Sequence, residues 1–159
     1  MRSKFLALAG VVASMGLASP VSAAAVDTNV PFLAEITSSC AVALGTAGTL
    51  AANANYSTLS SKDGGISGTA TVVTTGAGFK ISAIAPSSFV SAPTGGGDGV
   101  TFTASYETTG ATSTGQLPGA TTTDLSLGVT AMTVDLVADR ASGAYPAGSY
   151  RAEVIVRCE

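Results

Sequence analysis

The side chains that could carry chemistry in this chain are few. Its 159 residues include no His and no Trp, and only 11% are charged. Without imidazole, Ser-His-Asp and Cys-His nucleophiles, histidine metal clusters and the usual general base near neutral pH are excluded. What remains is ten acidic residues, seven basic ones and two cysteines. Paired carboxylates can share acid and base work in hydrolysis. Here the acids are scattered about one to a strand or turn, and Glu107 and Glu153 take outward positions on separate predicted strands. The run Gly95-Gly96-Gly97-Asp98-Gly99 offers backbone amides and one carboxylate. It lacks the Gly-Lys-Ser/Thr of a phosphate loop and the spaced oxygen ligands of an EF-hand, and it reads as a mobile hairpin tip. Asp135, Asp139 and Arg140 form a short charged cluster that reads as surface ion pairing. Asn55-Tyr56-Ser57 matches a glycosylation sequon, a pattern common by chance. The expectation is no catalytic residue, no metal ligand set, no cofactor, and a protein that is not an enzyme.

The two cysteines are read through their compartment, and the start of the chain indicates one. Met1-Arg2-Ser3-Lys4 is basic, residues 5–19 are an apolar run, Pro20 breaks it, and Val21-Ser22-Ala23 suits signal-peptidase cleavage after Ala23. Residues 1–23 are thus expected to be a secretory signal peptide. A run of about 15 apolar residues is shorter than the roughly 20 that cross a bilayer, so the mature chain is expected to have no membrane span. The protein is expected in the periplasm in transit, then at the cell surface or outside. In such a compartment two cysteines without C-x-x-C spacing favour a disulfide. Cys40 and Cys158, 118 residues apart, both fall on inward faces of alternating segments and would tie the first strand to the last. Cleavage also removes Arg2 and Lys4, leaving twice as many acidic as basic residues and no basic stretch. Nucleic acid is therefore not an expected partner.

The elements that must position these residues have period two. Tyr150, Ala152, Val154, Val156 and Cys158 share one face of residues 149–158, opposite Arg151, Glu153, Ile155 and Arg157. Val100, Phe102, Ala104 and Tyr106 form a second such face, Met132, Val134 and Leu136 a third, Phe79, Ile81 and Ala83 a fourth, and Cys40, Val42 and Leu44 a fifth. Breaks at residues 45–48, 63–65, 93–99 and 143–148 separate them. Residues 108–123, rich in Thr, Gly, Ser and Ala, read as a solvated loop. No amphipathic helical window and no internal repeat is present. The expected fold is all-β, a single antiparallel immunoglobulin-like sandwich over residues 37–159, preceded by an extension over 24–36.

Two stretches carry a family resemblance. Val30-Pro31-Phe32-Leu33-Ala34-Glu35-Ile36-Thr37-Ser38-Ser39-Cys40, followed by Gly48-Thr49-Leu50, Leu59-Ser60-Ser61 and Gly65, resembles exported bacterial pilin-like subunits. Residues 144–156, with Pro146-Ala147-Gly148-Ser149-Tyr150 leading into Val154-Ile155-Val156, resemble the closing strand of fimbrial and spore-coat-U-like domains. The resemblance implies an incomplete sandwich completed by a strand from a neighbouring copy, with a periplasmic chaperone and an outer-membrane usher as partners. The chain departs from many such subunits in ending Arg157-Cys158-Glu159 and in pairing its cysteines end to end.

The extension has the pattern such a donor needs. Val26, Thr28, Val30, Phe32, Ala34 and Ile36 alternate with Asp27, Asn29, Pro31, Leu33 and Glu35. In strand addition the ladder supplies affinity and alternate side chains fill pockets, which singles out Val26, Val30, Phe32 and Ile36 as the interface. Pro31 has no N–H and suits a strand paired on one side. The same residues could instead form the first strand of the chain's own sandwich. A self-contained secreted or surface-bound binding module is the alternative function.

Overall fold

The computed structural model describes residues 25–159, and the expected signal peptide lies outside the described residues. Glu35–Glu159 form one compact unit that holds every strand of the described residues. These are β1 (Cys40–Leu44), β2 (Ala51–Ala52), β3 (Thr58–Ser60), β4 (Gly68–Thr74), β5 (Lys80–Ile84), β6 (Val100–Gly110), β7 (Thr114–Pro118), β8 (Thr123–Asp124), β9 (Gly128–Arg140) and β10 (Ile155–Cys158). Among the described residues there is no helix. The protein is all-β and every ladder is antiparallel.

The long β9 organises the larger sheet. Its first half pairs with β4 and its second half with β3 along one margin, while β6 runs beside it on the other margin, from Val100↔Arg140 to Gly110↔Thr130. β1 flanks β4, β2 flanks β3 and β7 flanks β6. The smaller sheet has the order β10-β5-β8. Alternation decides what lies between the sheets. Ala70 and Val72 from β4, Tyr106 from β6 and Met132 from β9 meet Ile81 and Ala83 from β5 and the nearby Leu125 in one buried cluster. The Tyr106 hydroxyl, deep in that core, is satisfied by the Thr121 carbonyl at 2.9 Å and Thr123 Oγ1 at 2.6 Å. A second cluster at one end joins Leu59, Ala138 and Tyr145 to Phe89, Phe102 and Tyr150. Phe89 packs edge-on against Phe102 with centroids 4.8 Å apart.

Three expectations need correction. Residues 108–123 are not one loop: β6 runs on to Gly110, β7 returns beside it, and β8 follows. Thr is a good strand residue; Leu117 sits opposite Tyr106 and packs on the core, and Thr108 Oγ1 meets Thr114 Oγ1 at 3.1 Å across the ladder. The closing strand is regular only over Ile155–Cys158, although the in/out alternation holds back to Tyr150. Opposite residues 152–154 the β5 side continues into Ala85-Pro86-Ser87, and a proline cannot donate to a ladder. Pairing resumes only at the Ser91↔Arg151 bridge. Asp135 is buried rather than paired at the surface, accepting from Ser61 Oγ at 2.9 Å, Ser67 Oγ at 2.5 Å and Gln116 Nε2 at 3.2 Å.

Candidate functional site

The two sheets each end in an open strand on the same margin of the sandwich. Among the described residues β1 pairs only with β4, and β10 only with β5. Cys40 opens the first and Cys158 closes the second, and a disulfide joins them with their Cα atoms 6.4 Å apart. The sequence expectation for these two residues is met, and the bridge marks one end of the gap between the edges.

The free backbone groups can be assigned from the ladder. Thr75 N donates to the Ser39 carbonyl and Gly45 N to the Thr69 carbonyl, both at 2.9 Å. Because antiparallel pairs alternate, the odd-numbered residues of β1 bond to β4 and the N–H and C=O of Cys40, Val42 and Leu44 face the gap. On the other side Lys80 N donates to the Glu159 carbonyl at 2.7 Å, and Arg151 N to the Ser91 carbonyl at 2.9 Å. The same alternation turns the backbone of Val156 and Cys158 toward the gap. Two unsatisfied edges thus face each other, each a template for one more strand.

Away from the disulfide the edges enclose a groove of about 1190 Å³. Ala70, Val134, Leu136 and Leu59 form its floor, Leu44 and Leu50 one wall, and Ala152, Val154 and Val156 the other. All are inward-facing side chains that a closed sandwich would cover. The contrast across β1 is sharp: Val42 is 40% and Leu44 83% exposed, while their partners Val72 and Ala70 are 0% and 5% exposed. Polar groups sit at the rim, where Arg151 Nη2 meets Glu153 Oε1 at 2.6 Å with both side chains largely exposed.

Tyr145 lines the groove at the end away from the disulfide. Its hydroxyl donates to the Ala138 carbonyl at 3.1 Å, and Arg140 stacks 5.8 Å from its ring centroid. Burial raises its pKa above the usual 10.0, the Asp139 charge adds to this, and Arg140 opposes it. Arg140 Nη1 also donates to the Gly95 carbonyl at 2.8 Å, so the glycine run is tied down by an arginine. Asp139 accepts from Thr58 Oγ1 at 2.7 Å. Glu107 is exposed on β6, and Glu153 is exposed in the unpaired stretch before β10 rather than on a strand. Among the described residues no three His, Cys, Asp or Glu side chains converge.

Residues 25–39 form no strand, and Val26, Val30, Phe32 and Ile36 are exposed, Phe32 at 94%. Leu33 on the opposite parity is equally bare. The alternation in the sequence marks both bordering strands, β1 and β10, but not where in the fold a groove lies. The missing information was which strands end each sheet, and no local pattern carries it. No helix among the described residues is long and apolar enough to cross a membrane. The chain matches no family model, no curated protein and no solved structure.

Proposed function

We propose that the protein is a secreted structural or adhesive subunit of a bacterial surface fibre, with a pilin-like, immunoglobulin-like sandwich left one strand short. The groove between β1 and β10 accepts residues 25–36 of a second copy. The observation that carries this reading is the exposure of Leu44, an inward-facing leucine whose ladder partner Ala70 is buried. A further strand laid beside β1 would cover it.

The dimensions support it. At about 3.3 Å per residue, the stretch from Tyr150 to Val156 along the wall is roughly 20 Å, and residues 26–36 extended reach roughly 33 Å. The segment can fill the groove and still return to its own domain. Burying Val30 and Phe32 contributes about 1.5–3 kcal/mol each, and ladder bonds to Val42 and Leu44 add specificity of register. An exported subunit with an open groove needs a cap before assembly, which gives a periplasmic chaperone and an outer-membrane usher their place as partners.

Deletion of residues 24–35 tests the reading. The truncated protein is expected to stay folded by circular dichroism and to form no polymers by size-exclusion chromatography or electron microscopy. Undiminished polymers would contradict it, and so would unfolding, which would make the segment part of its own sandwich. A folded monomer from the untruncated chain as well would favour the self-contained binding module.

A further inference from the structure

A groove beside β1 poses a question of partner, because only residues 37–39 separate the chain's own residues 25–36 from β1. Self-filling would produce inert monomers. If residues 25–36 are the donor strand, as proposed for the fibre subunit, two features at that end of the groove decide which copy they can serve.

The first is a hydroxyl clamp. Thr75 Oγ1 donates to the Thr37 carbonyl at 2.6 Å, accepts from Ser39 N at 2.9 Å and lies 3.0 Å from Ser39 Oγ. Thr75 N donates to the Ser39 carbonyl as well. A threonine hydroxyl has one proton and two lone pairs, and all three are used here. Ser38 lies so close to Gly76 that a Cβ there would collide with its side chain. Thr37, Ser38 and Ser39 are therefore held along the chain that follows β4, on the side of β1 away from the gap. A tight hairpin returning residues 25–36 to the free edge of β1 would turn at Thr37 and Ser38 and give up the Thr75 bond to the Thr37 carbonyl and the Ser38 contact with Gly76.

The second is the width of the entrance. A strand lying between two others needs about two interstrand spacings, roughly 9.5 Å. At the disulfide the flanking Cα atoms are 6.4 Å apart. The Cys40 end of the groove is thus too narrow for a strand, and it is covalently prevented from widening. A strand from elsewhere meets neither obstacle, since the groove opens away from the bridge toward Leu50 and Tyr145.

We infer that the Cys40–Cys158 disulfide and the Thr75 clamp together close the groove to the chain's own N-terminal segment and reserve it for that of a second copy. The bridge is a positioning device for assembly as well as a stabilising one. Its consequence is that a dilute monomer keeps an empty groove.

A fluorescent peptide of residues 25–36 reads this directly by anisotropy against dilute, freshly refolded full-length mature chain. A second protein carries a flexible Gly/Ser insertion of about eight residues between Ile36 and Thr37, long enough to pass the clamp and the bridge without disturbing either. The wild-type monomer is expected to bind the peptide, and the insertion variant to be monomeric, to bind none and to unfold at a higher temperature. Peptide binding by both proteins would overturn the inference, because the local barrier would not be what keeps the segment out. Binding by neither, with wild-type polymers still forming at high concentration, would also overturn it by showing the monomer already self-filled. Binding by neither without polymers would instead refute the strand-donor reading itself.

Discussion

Removing the disulfide is the perturbation whose size comes most directly from the structure. The bridge spans 118 residues, nearly the whole compact unit, and joins two edges that share no ladder. In the chain-entropy description a loop of that length removes about 16 cal/mol/K from the unfolded ensemble, or about 5 kcal/mol at 25 °C. Residual structure in the unfolded chain lowers the expected loss for Cys40→Ala/Cys158→Ala to about 2–5 kcal/mol. Alanine is the better replacement, since both positions are half-buried and a hydroxyl there would need a partner. Urea unfolding followed by tyrosine fluorescence suits a chain with four Tyr and no Trp. The midpoint is expected to fall and the m-value to rise, because the unlinked chain exposes more surface when it unfolds. A loss under about 1 kcal/mol with an unchanged m-value would refute the reasoning that the bridge restrains the unfolded state.

Other outcomes are expected from single residues. Leu44→Asp, at a position already 83% exposed, should change the monomer's unfolding free energy by no more than about 0.5 kcal/mol. The same variant should abolish growth of polymers in size-exclusion chromatography, because it places a charge in the groove; normal polymers would contradict the role of that wall. Tyr145→Phe removes the bond to the Ala138 carbonyl and should cost about 0.5–1.5 kcal/mol at neutral pH. Because the folded-state pKa of Tyr145 is raised above 10.0, its contribution is intact below that pH and is lost as pH climbs through the folded value. Unfolding titrations should therefore show a steeper loss above pH 10 in the wild type than in Tyr145→Phe.

Much of this architecture was legible in period-two patterns. The stretches around Cys40, Ile81, Phe102, Met132 and Val156 are strands or run into them, because alternation reports a half-buried sheet surface without reference to partners. Residues 114–118 escaped because Thr-Gly-Gln-Leu-Pro has a single large apolar residue, and its pairing depends on β6 lying alongside. β4 escaped for a related reason: small Ala70 and β-branched Val72 and Val73 mix with threonines, and burial of Val72 comes from β5 across the sandwich. Asp135 looked like a surface charge because the hydroxyls that bury it arrive from residues 61 and 67, far away in sequence. The groove was hidden for the deepest reason. Whether Leu44 faces a partner or a void depends on strand order, a global property.

Residue-resolved hydrogen exchange of monomer and polymer, read by dissolving exchanged polymer and recording amide spectra, tests strand addition most directly. In the monomer the amides of Ala41 and Ala43 point to β4, while those of Val42 and Leu44 face the gap unbonded. On polymerisation the amides of Val42 and Leu44 are expected to become protected together with those of residues 28–34, and Ala41 and Ala43 to change little. Polymers in which Val42 and Leu44 exchange as fast as in the monomer, with new protection instead along β2 or β7, would contradict the account.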